Sequence, residues 1–408
     1  MKFTVIMLAV LISLVPLTVL AEDKEVNIAV DDEAIVYMGR WRKEDDGMMH
    51  GSFECGLILR FTGTGIRLFG KCSGNTLIAV DGGEVKKKTL SKNSVLYKQL
   101  ENGEHTLELY SDGQCDFPVI GGFMLDAGAI VLPTQKGKIV EFIGDSITEG
   151  YVNTNDAGRF GANSYRNSYA FLLGRKLMQT YGMQFHTIAY GGIGIARAGS
   201  PDPLTMPERY FKEREYVSSA DGATAETANA AVSAWDTESF IPDYLVINLG
   251  TNDRNLDSTR VTIALYSFLK KLNNTYPEAL IFVMTPFIGG LTENVTAAIA
   301  MANSDRNILI DTDSWKIPAG NDNLHPAPAA HERAAELLFE ALEPYIVDTP
   351  GDAPTDAPDS AATDVSPDST GETINLVPYI VGGAVILAAA AVTAAALIRK
   401  SKQDKIRT

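Results

Sequence analysis

The 408-residue sequence is poor in residues that bind metals, with three cysteines and five histidines. It contains no C-x-x-C pair, and its His and Cys residues do not cluster with the spacing of a zinc site. We therefore expect neither a metal nor another cofactor. The cysteines lie at positions 55, 72 and 115. Outside the cell they allow one disulfide with one free thiol, or no disulfide at all.

Positive charge is also scarce. The 35 Lys and Arg residues are outnumbered by 51 Asp and Glu residues, and the formal net charge is -16. Nucleic-acid binding normally requires a basic surface, so this composition argues against nucleic acid as a partner. It fits a neutral or cationic substrate. The composition leaves the oligomeric state unknown.

Apolar runs mark both ends of the chain. Residues 1–21 contain one lysine, a long apolar stretch and the small residue Ala21, a layout typical of a secretory signal peptide. An uncleaved anchor helix is the alternative. Residues 374–398 include an uncharged apolar run that is long enough, at about 1.5 Å per residue, to cross a bilayer. Basic residues follow at 399–408.

The segment before the second apolar run is polar. Residues 349–373 are rich in Pro, Asp, Ser and Thr, which predicts a disordered linker. The positive-inside rule places the basic tail in the cytoplasm. These features predict a single-pass type I membrane protein at the cell surface, anchored by its C-terminal helix, with the folded part outside. A wall-sorting signal has the same layout, but no LPxTG-like motif precedes this one.

The chain between these ends changes in character near residue 134. Residues 22–134 contain short strand-like runs, such as 56–61 and 105–110, separated by turns rich in Gly, Asp and Asn. This pattern predicts an antiparallel β-sandwich or jelly roll. Residues 135–348 alternate apolar strands with helical stretches, which predicts an α/β domain with a parallel sheet covered on both faces.

The second domain has five predicted strands and three predicted helices. The strands are 138–143, 184–189, 244–249, 279–284 and 307–310. The helices are 167–181, 257–274 and 327–345. The predicted fold class is therefore α/β, with a β-sandwich domain in front, a three-layer α/β/α domain behind it and a C-terminal transmembrane helix.

The heptapeptide GDSITEG, Gly144 to Gly150, directly follows the first strand of the second domain. Open α/β sheets bind ligands at the carboxyl ends of their strands. The glycines permit a tight turn and the close approach of a substrate. Ser146 is therefore the candidate nucleophile.

Three later segments offer the other groups that a serine nucleophile needs. The i, i+3 spacing of Asp322 and His325 lets the carboxylate reach Nδ1, which leaves Nε2 to take a serine proton. Gly192 offers a backbone N–H, and Asn252 a side-chain amide, to a developing oxyanion. Each segment also has a structural alternative. For Asp322 and His325 the alternative is a helix N-cap beside a surface histidine. For Gly192 it is a plain strand-to-helix turn. For the segment of Asn252 it is a loop brace or a helix cap, the role we expect for Asp253.

The order GDS, glycine segment, GTND and DxxH within one α/β domain resembles the SGNH, or GDSL-type, hydrolase superfamily. The resemblance implies a catalytic triad of Ser146, His325 and Asp322. It also implies an oxyanion hole formed by Ser146, Gly192 and Asn252. The fold it implies is the flavodoxin-like, three-layer arrangement predicted above.

The match departs from the family pattern in one block. Residues 191–192 read Gly-Gly where many relatives have Ser-Gly, so which glycine supplies the N–H is left open. The chain has no G-x-S-x-G elbow, which disfavours the α/β-hydrolase alternative.

A β-sandwich ahead of such a domain resembles carbohydrate esterase family 2, and residues 61–66 and 79–82 look like that family's jelly roll. The resemblance implies a serine esterase that removes O-acetyl groups from acetylated polysaccharides such as xylan and glucomannan. The alternatives are a lipid esterase or lysophospholipase of the same superfamily, and a non-catalytic glycan-binding protein at the cell surface. Tyr151, Tyr190 and Trp315 are candidates to stack on a sugar ring, although each also suits core or loop packing.

Overall fold

The computed structural model describes residues 24–113, 117–151, 164–199, 203–213, 227, 232–320 and 322–347. The predicted signal peptide, linker, transmembrane helix and basic tail lie outside the described residues, and they stay predictions. Within the described ranges, no helix combines the length and the apolar character that a membrane crossing requires.

The front domain is built from antiparallel strands. They are β1 (Val26–Ile28), β2 (Ile35–Lys43), β3 (Met49–Gly63), β4 (Ile66–Leu68), β5 (Asn75–Val80), β6 (Lys86–Thr89), β7 (Val95–Tyr97), β8 (Gly103–Ser111), β9 (Val119–Ile120), β10 (Phe123–Leu125) and β11 (Val131–Leu132). One sheet has the order β1-β10-β4-β7, and β3 is central to the other, where it pairs with β2, β8, β9 and β11. Apolar side chains such as Leu57, Leu107 and Phe123 fill the space between the sheets. The predicted β-sandwich is confirmed.

The second domain contains a parallel sheet. Its strands are β12 (Ile139–Asp145), β13 (Gln184–Tyr190), β14 (Tyr244–Asn248), β15 (Leu280–Met284) and β16 (Asn307–Ile310). They lie in the order β16-β15-β14-β12-β13. Strand β13 is therefore on one side of β12, and the later strands are on the other side. Every residue of β13 and β14 is buried, as expected for strands covered on both faces. The predicted doubly wound α/β fold is confirmed.

Helices cover both faces of this sheet. They are α1 (Ser146–Glu149), α2 (Tyr169–Tyr181), α3 (Met206–Arg209), α4 (Ser258–Thr275), α5 (Thr292–Ala302) and α6 (Pro328–Val347). Helices α2 and α6 pack on one face through residues such as Leu173 and Leu338. Helices α4 and α5 pack on the other through residues such as Leu265 and Val295.

The two domains share one continuous sheet, which the sequence analysis did not anticipate. Strand β3 extends beyond the predicted run, and its residue Glu54 pairs antiparallel with Thr187 of β13. Near this junction the buried Arg40 donates to the carbonyl oxygen of Tyr210 at 2.5 Å. The Arg40 guanidinium also lies 5.0 Å from the ring centroid of Trp235. The front domain is therefore joined to the edge of the parallel sheet.

The structure decides part of the cysteine question. Cys55 and Cys72 are buried and are not bonded to each other, and burial raises the pKa of Cys72. Cys115 lies outside the described residues. No disulfide therefore joins the two cysteines that the structure describes.

Candidate active site

Ser146 lies at a sharp turn from strand to helix at the carboxyl edge of the sheet. Strand β12 ends at Asp145, and α1 begins at Ser146. The Asp145 carboxylate caps the helix by accepting from the Ile147 N–H at 3.0 Å. Gly150 ends the helix in the left-handed conformation, with φ 82°. The serine thus sits where the strand order reverses, at the topological switch point.

The first glycine of the motif is required by packing. A Cβ added at Gly144 would lie 1.9 Å from Thr148 Oγ1. That hydroxyl is fixed by a hydrogen bond of 2.8 Å to the Tyr169 hydroxyl on α2. A side chain at position 144 would therefore push α1, and Ser146 with it, away from the strand.

Ser146, His325 and Asp322 form a continuous hydrogen-bonded series. His325 Nε2 is 2.8 Å from Ser146 Oγ, although the two residues are 179 positions apart in the chain. His325 Nδ1 is 2.5 Å from Asp322 Oδ2. The neutral tautomer that satisfies both contacts carries its proton on Nδ1, which leaves Nε2 to accept the serine proton.

The loop around Asp322 fixes this geometry. Asp322 Oδ1 accepts from the backbone N–H groups of Leu324 at 3.0 Å and His325 at 2.8 Å. Asn323, between Asp322 and Leu324, has a positive φ of 60°. Partial burial would raise the pKa of Asp322, but its hydrogen bonds from His325 and the backbone hold that pKa below the ordinary value. The carboxylate is therefore charged at neutral pH and can stabilise an imidazolium.

The predicted oxyanion donors lie on two loops that contact each other. A Cβ at Gly191 would be 3.8 Å from Ser146 Cβ, so the segment 191–192 lies against the serine. Gly192 has φ 76°, which favours glycine there. Asn252 Nδ2 donates to the Ile193 carbonyl at 2.8 Å and has a second N–H to offer.

Replacing Asn252 with alanine is expected to lower kcat by about 10²- to 10³-fold with little change in KM, because the amide would stabilise charge that develops only in the transition state. Steady-state kinetics on an aryl acetate would measure this. Asn255→Ala, at an exposed position of the same loop, is the matched control and should leave kcat unchanged. Equal kinetics for the two variants would contradict an oxyanion role for Asn252.

Asp253 braces the glycine loop. Its buried carboxylate accepts from three backbone N–H groups, those of Ile195 and Ala196 at 2.8 Å and of Arg197 at 2.9 Å. A Cβ at Gly194 would lie 2.4 Å from Asp253 Oδ2. Of the two roles that the sequence allowed, the structure shows the brace, and Asp257 caps α4 instead.

Asp253→Asn is expected to lower the free energy of unfolding by about 1–3 kcal/mol, since an amide nitrogen would replace one acceptor among buried N–H groups. Urea denaturation would measure the change. Asp257→Asn is the matched control, because asparagine caps a helix as well as aspartate does. If both variants lost the same stability, the bracing role would be wrong.

The three aromatic candidates have different environments. The Tyr151 ring lies 5.1 Å from the His325 ring, and the residue is 41% exposed, so one face is open beside the site. Trp315 is partly buried, with its ring 6.2 Å from that of Phe287. Tyr190 is only 6% exposed and belongs to the core. The burial of Tyr190 therefore argues against a sugar-stacking role for that residue.

Two other histidines are buried and have structural contacts. His186 is fully buried and contacts Glu141 Oε1 at 2.8 Å. His331 is also buried, and burial lowers its pKa to about 3. Across the ranges that the structure describes, His, Cys, Asp and Glu side chains form no group of three or more that could hold a metal ion.

Comparisons with known proteins point to one family. Residues 142–333, which include all the candidate catalytic residues, match the GDSL-like Lipase/Acylhydrolase family. The cellulase/esterase CelE of Acetivibrio thermocellus is 27% identical over 337 residues, covering 76% of this chain. The chain spans 39% of the length of that curated relative.

Solved structures extend the likeness to the front domain. A family two carbohydrate esterase from Cellvibrio japonicus has a TM-score of 0.67 at 20% identity, covering 79% of this chain and 98% of that one. An acetyl xylan esterase from the rumen bacterium Butyrivibrio proteoclasticus has a TM-score of 0.62 at 19% identity, with coverage of 79% and 98%. The chain therefore carries a GDSL-like lipase/acylhydrolase domain, and its two domains together have the fold of the family two carbohydrate esterases.

Proposed function

We propose that the protein is a serine esterase that removes O-acetyl groups from a polysaccharide of the xylan or glucomannan type. The observation that carries the proposal is the hydrogen-bonded series of Asp322, His325 and Ser146 at the carboxyl edge of the sheet. A serine hydroxyl that contacts an imidazole, itself oriented by a carboxylate, is the arrangement that activates serine as a nucleophile.

The proposed reaction has two steps. His325 Nε2 takes the proton of Ser146 as Oγ attacks the acetyl carbonyl carbon. Backbone N–H groups of Ser146 and Gly192, with the Asn252 amide, stabilise the oxyanion. His325 then protonates the departing sugar oxygen, which leaves an acetyl-enzyme. Water attacks the acetyl-enzyme by the same route, which releases acetate and restores the serine.

Three observations support a sugar ester as the substrate. The solved structures with this fold include an acetyl xylan esterase, and the curated relative is a cellulase/esterase. The exposed ring of Tyr151 beside His325 offers a flat face of the kind on which a sugar ring packs. The net charge of -16 suits a neutral polysaccharide better than an anionic one.

The experiment that tests the proposal is acetate release from acetylated xylan, acetylated glucomannan, acetylated pectin and an aryl acetate. We expect xylan or glucomannan to be deacetylated with a higher kcat/KM than pectin, which is anionic. Hydrolysis of the aryl acetate without acetate release from any polysaccharide would overturn the substrate class. It would leave the ester chemistry in place.

The second candidate is a lipid esterase or lysophospholipase, and the description of the matched family as lipases and acylhydrolases favours it. A series of aryl esters from acetate to laurate separates the two candidates. A deacetylase should prefer acetate, because its acyl site needs to hold only a methyl group. Preference for octanoate or laurate would select the lipid esterase.

A non-catalytic glycan-binding protein is the remaining alternative. Such a protein has no need of a serine activated by a histidine. Labelling by a fluorophosphonate probe, followed by peptide mapping, reports that activation directly. Rapid labelling at Ser146 would reject the binding-only alternative, and a protein that binds glycan without being labelled would support it.

A further inference from the structure

Glu149 is a buried carboxyl group directly beside the candidate nucleophile. It is the last residue of α1, three positions after Ser146, and its side chain is only 2% exposed. Glutamate is rarely buried to this extent unless it is paired with a cation. The burial of this carboxyl group therefore needs an explanation.

Among the residues that the structure describes, no cation is paired with the Glu149 carboxyl. Its Oε2 atom is buried and has no hydrogen-bond partner, and no Lys, Arg or His among the described residues acts on it. Helix α1 packs against β12, β13 and α2. Other ionisable groups on these elements, or on the far side of Ser146, face this region. They are Asp145 at the end of β12, Tyr190 at the end of β13, Tyr169 on α2, Tyr151 and His325.

The carboxyl group touches the segment that carries the predicted oxyanion donor. A Cβ built at Gly191 would lie 3.3 Å from Glu149 Oε2 and 3.8 Å from Ser146 Cβ. The buried carboxyl group therefore packs against Gly191, beside Ser146.

The protonation state follows from this environment. Burial raises the pKa of Glu149 to about 8, the Gly191 N–H lowers it, and the neighbouring Asp145 raises it. The side chain is therefore a neutral carboxylic acid at neutral pH. In that state it packs against Gly191 without placing negative charge next to the reacting carbonyl.

We propose that Glu149 is a positioning residue that holds residues 191–192 against Ser146 as a neutral acid, and that loss of its proton stops hydrolysis. The inference rests on the proposed esterase function. An ionised carboxylate at this position would repel the oxyanion in a site with little water to screen it. The residue acts through the glycine segment and makes no contact with the reacting atoms.

The test compares Glu149→Ala, Glu149→Gln and the wild-type protein over a range of pH. Alanine removes the side chain that packs against Gly191, so kcat should fall at every pH with KM little changed. Glutamine has nearly the shape of a neutral glutamic acid and cannot ionise, so it should rescue most of kcat. The wild-type kcat should fall above a midpoint near 8, and this fall should be missing in Glu149→Gln, giving about a tenfold advantage for glutamine at one pH unit above that midpoint.

The matched control is Glu336→Gln, an exposed glutamate on α6 that pairs with Lys176. It should keep both the wild-type kcat and the alkaline fall. The same alkaline fall in Glu149→Gln as in the wild-type protein would overturn the inference, and so would a wild-type pH profile in Glu149→Ala.

Thermal unfolding provides a readout that needs no catalytic activity. Because its pKa is raised on folding, Glu149 contributes stability that is full below its ordinary value of 4.5 and is lost as the pH rises to about 8. The melting temperature of the wild-type protein, relative to Glu149→Gln, should therefore fall between these pH values and level off above them. A constant difference would overturn the inference. A falling difference in a protein that hydrolyses no ester would overturn the proposed function alone.

Discussion

Ser146→Ala is expected to lower kcat for acetate release by about 10⁴- to 10⁶-fold. The substitution removes the one oxygen that lies 2.8 Å from His325 Nε2, and it leaves the backbone of α1 in place. Residual activity should remain about 10³- to 10⁴-fold above that of water alone, because the backbone N–H groups around the site are retained. Steady-state kinetics on an aryl acetate and on acetylated xylan would measure the loss.

The control for this variant is another serine. Ser239 is exposed and donates to the backbone carbonyl of Asp236, and it has no role in the proposed reaction. Ser239→Ala should retain the wild-type kcat and melting temperature. A Ser146→Ala protein that melts normally and keeps more than about a tenth of the wild-type kcat would contradict the mechanism.

Asp322→Asn is expected to lower kcat at neutral pH by about 10⁴-fold. An asparagine amide that donates to His325 Nδ1 forces the ring proton onto Nε2, which can then no longer accept from Ser146. The substituted residue also loses the charge that would stabilise the imidazolium. The same kinetic assays, together with fluorophosphonate labelling of Ser146, would detect the loss of serine activation.

The fold around Asp322 should survive this substitution. An asparagine oxygen can still accept from the N–H groups of Leu324 and His325, as Asp322 Oδ1 does. Asp311→Asn, at an exposed loop position after β16, is the matched control and should change kcat less than about twofold. Comparable losses in both variants would show that the effect is not specific to the histidine contact.

The sequence predicted the candidate triad because its members follow or precede elements with strong apolar signals. Ser146 comes directly after a buried strand, and His325 comes shortly before a long helix. In a doubly wound sheet these positions converge at one edge, although 179 residues separate the two side chains. The contact between Asp322 and His325 depends only on a short turn, so local spacing was enough to predict it.

Other features depend on tertiary contacts that no local pattern reveals. Tyr190 follows a predicted apolar strand, so the sequence allowed a sugar-stacking role for it, but tertiary packing leaves the residue only 6% exposed. Helix α5 was missed because it has no side-chain N-cap, and few of its residues face the core. Glu149 stands inside the most informative motif of the chain, yet its burial depends on how α1 packs against the glycine segment.

The junction between Glu54 and Thr187 also bears on solubility and on the evolution of the chain. Strand β13 ends the parallel sheet, and all seven of its residues are buried. Without β3 beside it, that strand would expose unsatisfied backbone donors and acceptors together with apolar side chains. Such an exposed edge favours aggregation between molecules. The front domain therefore covers the edge strand of the parallel sheet. Loss of the front domain, by truncation or by gene rearrangement, would expose this strand edge of the α/β domain and favour aggregation.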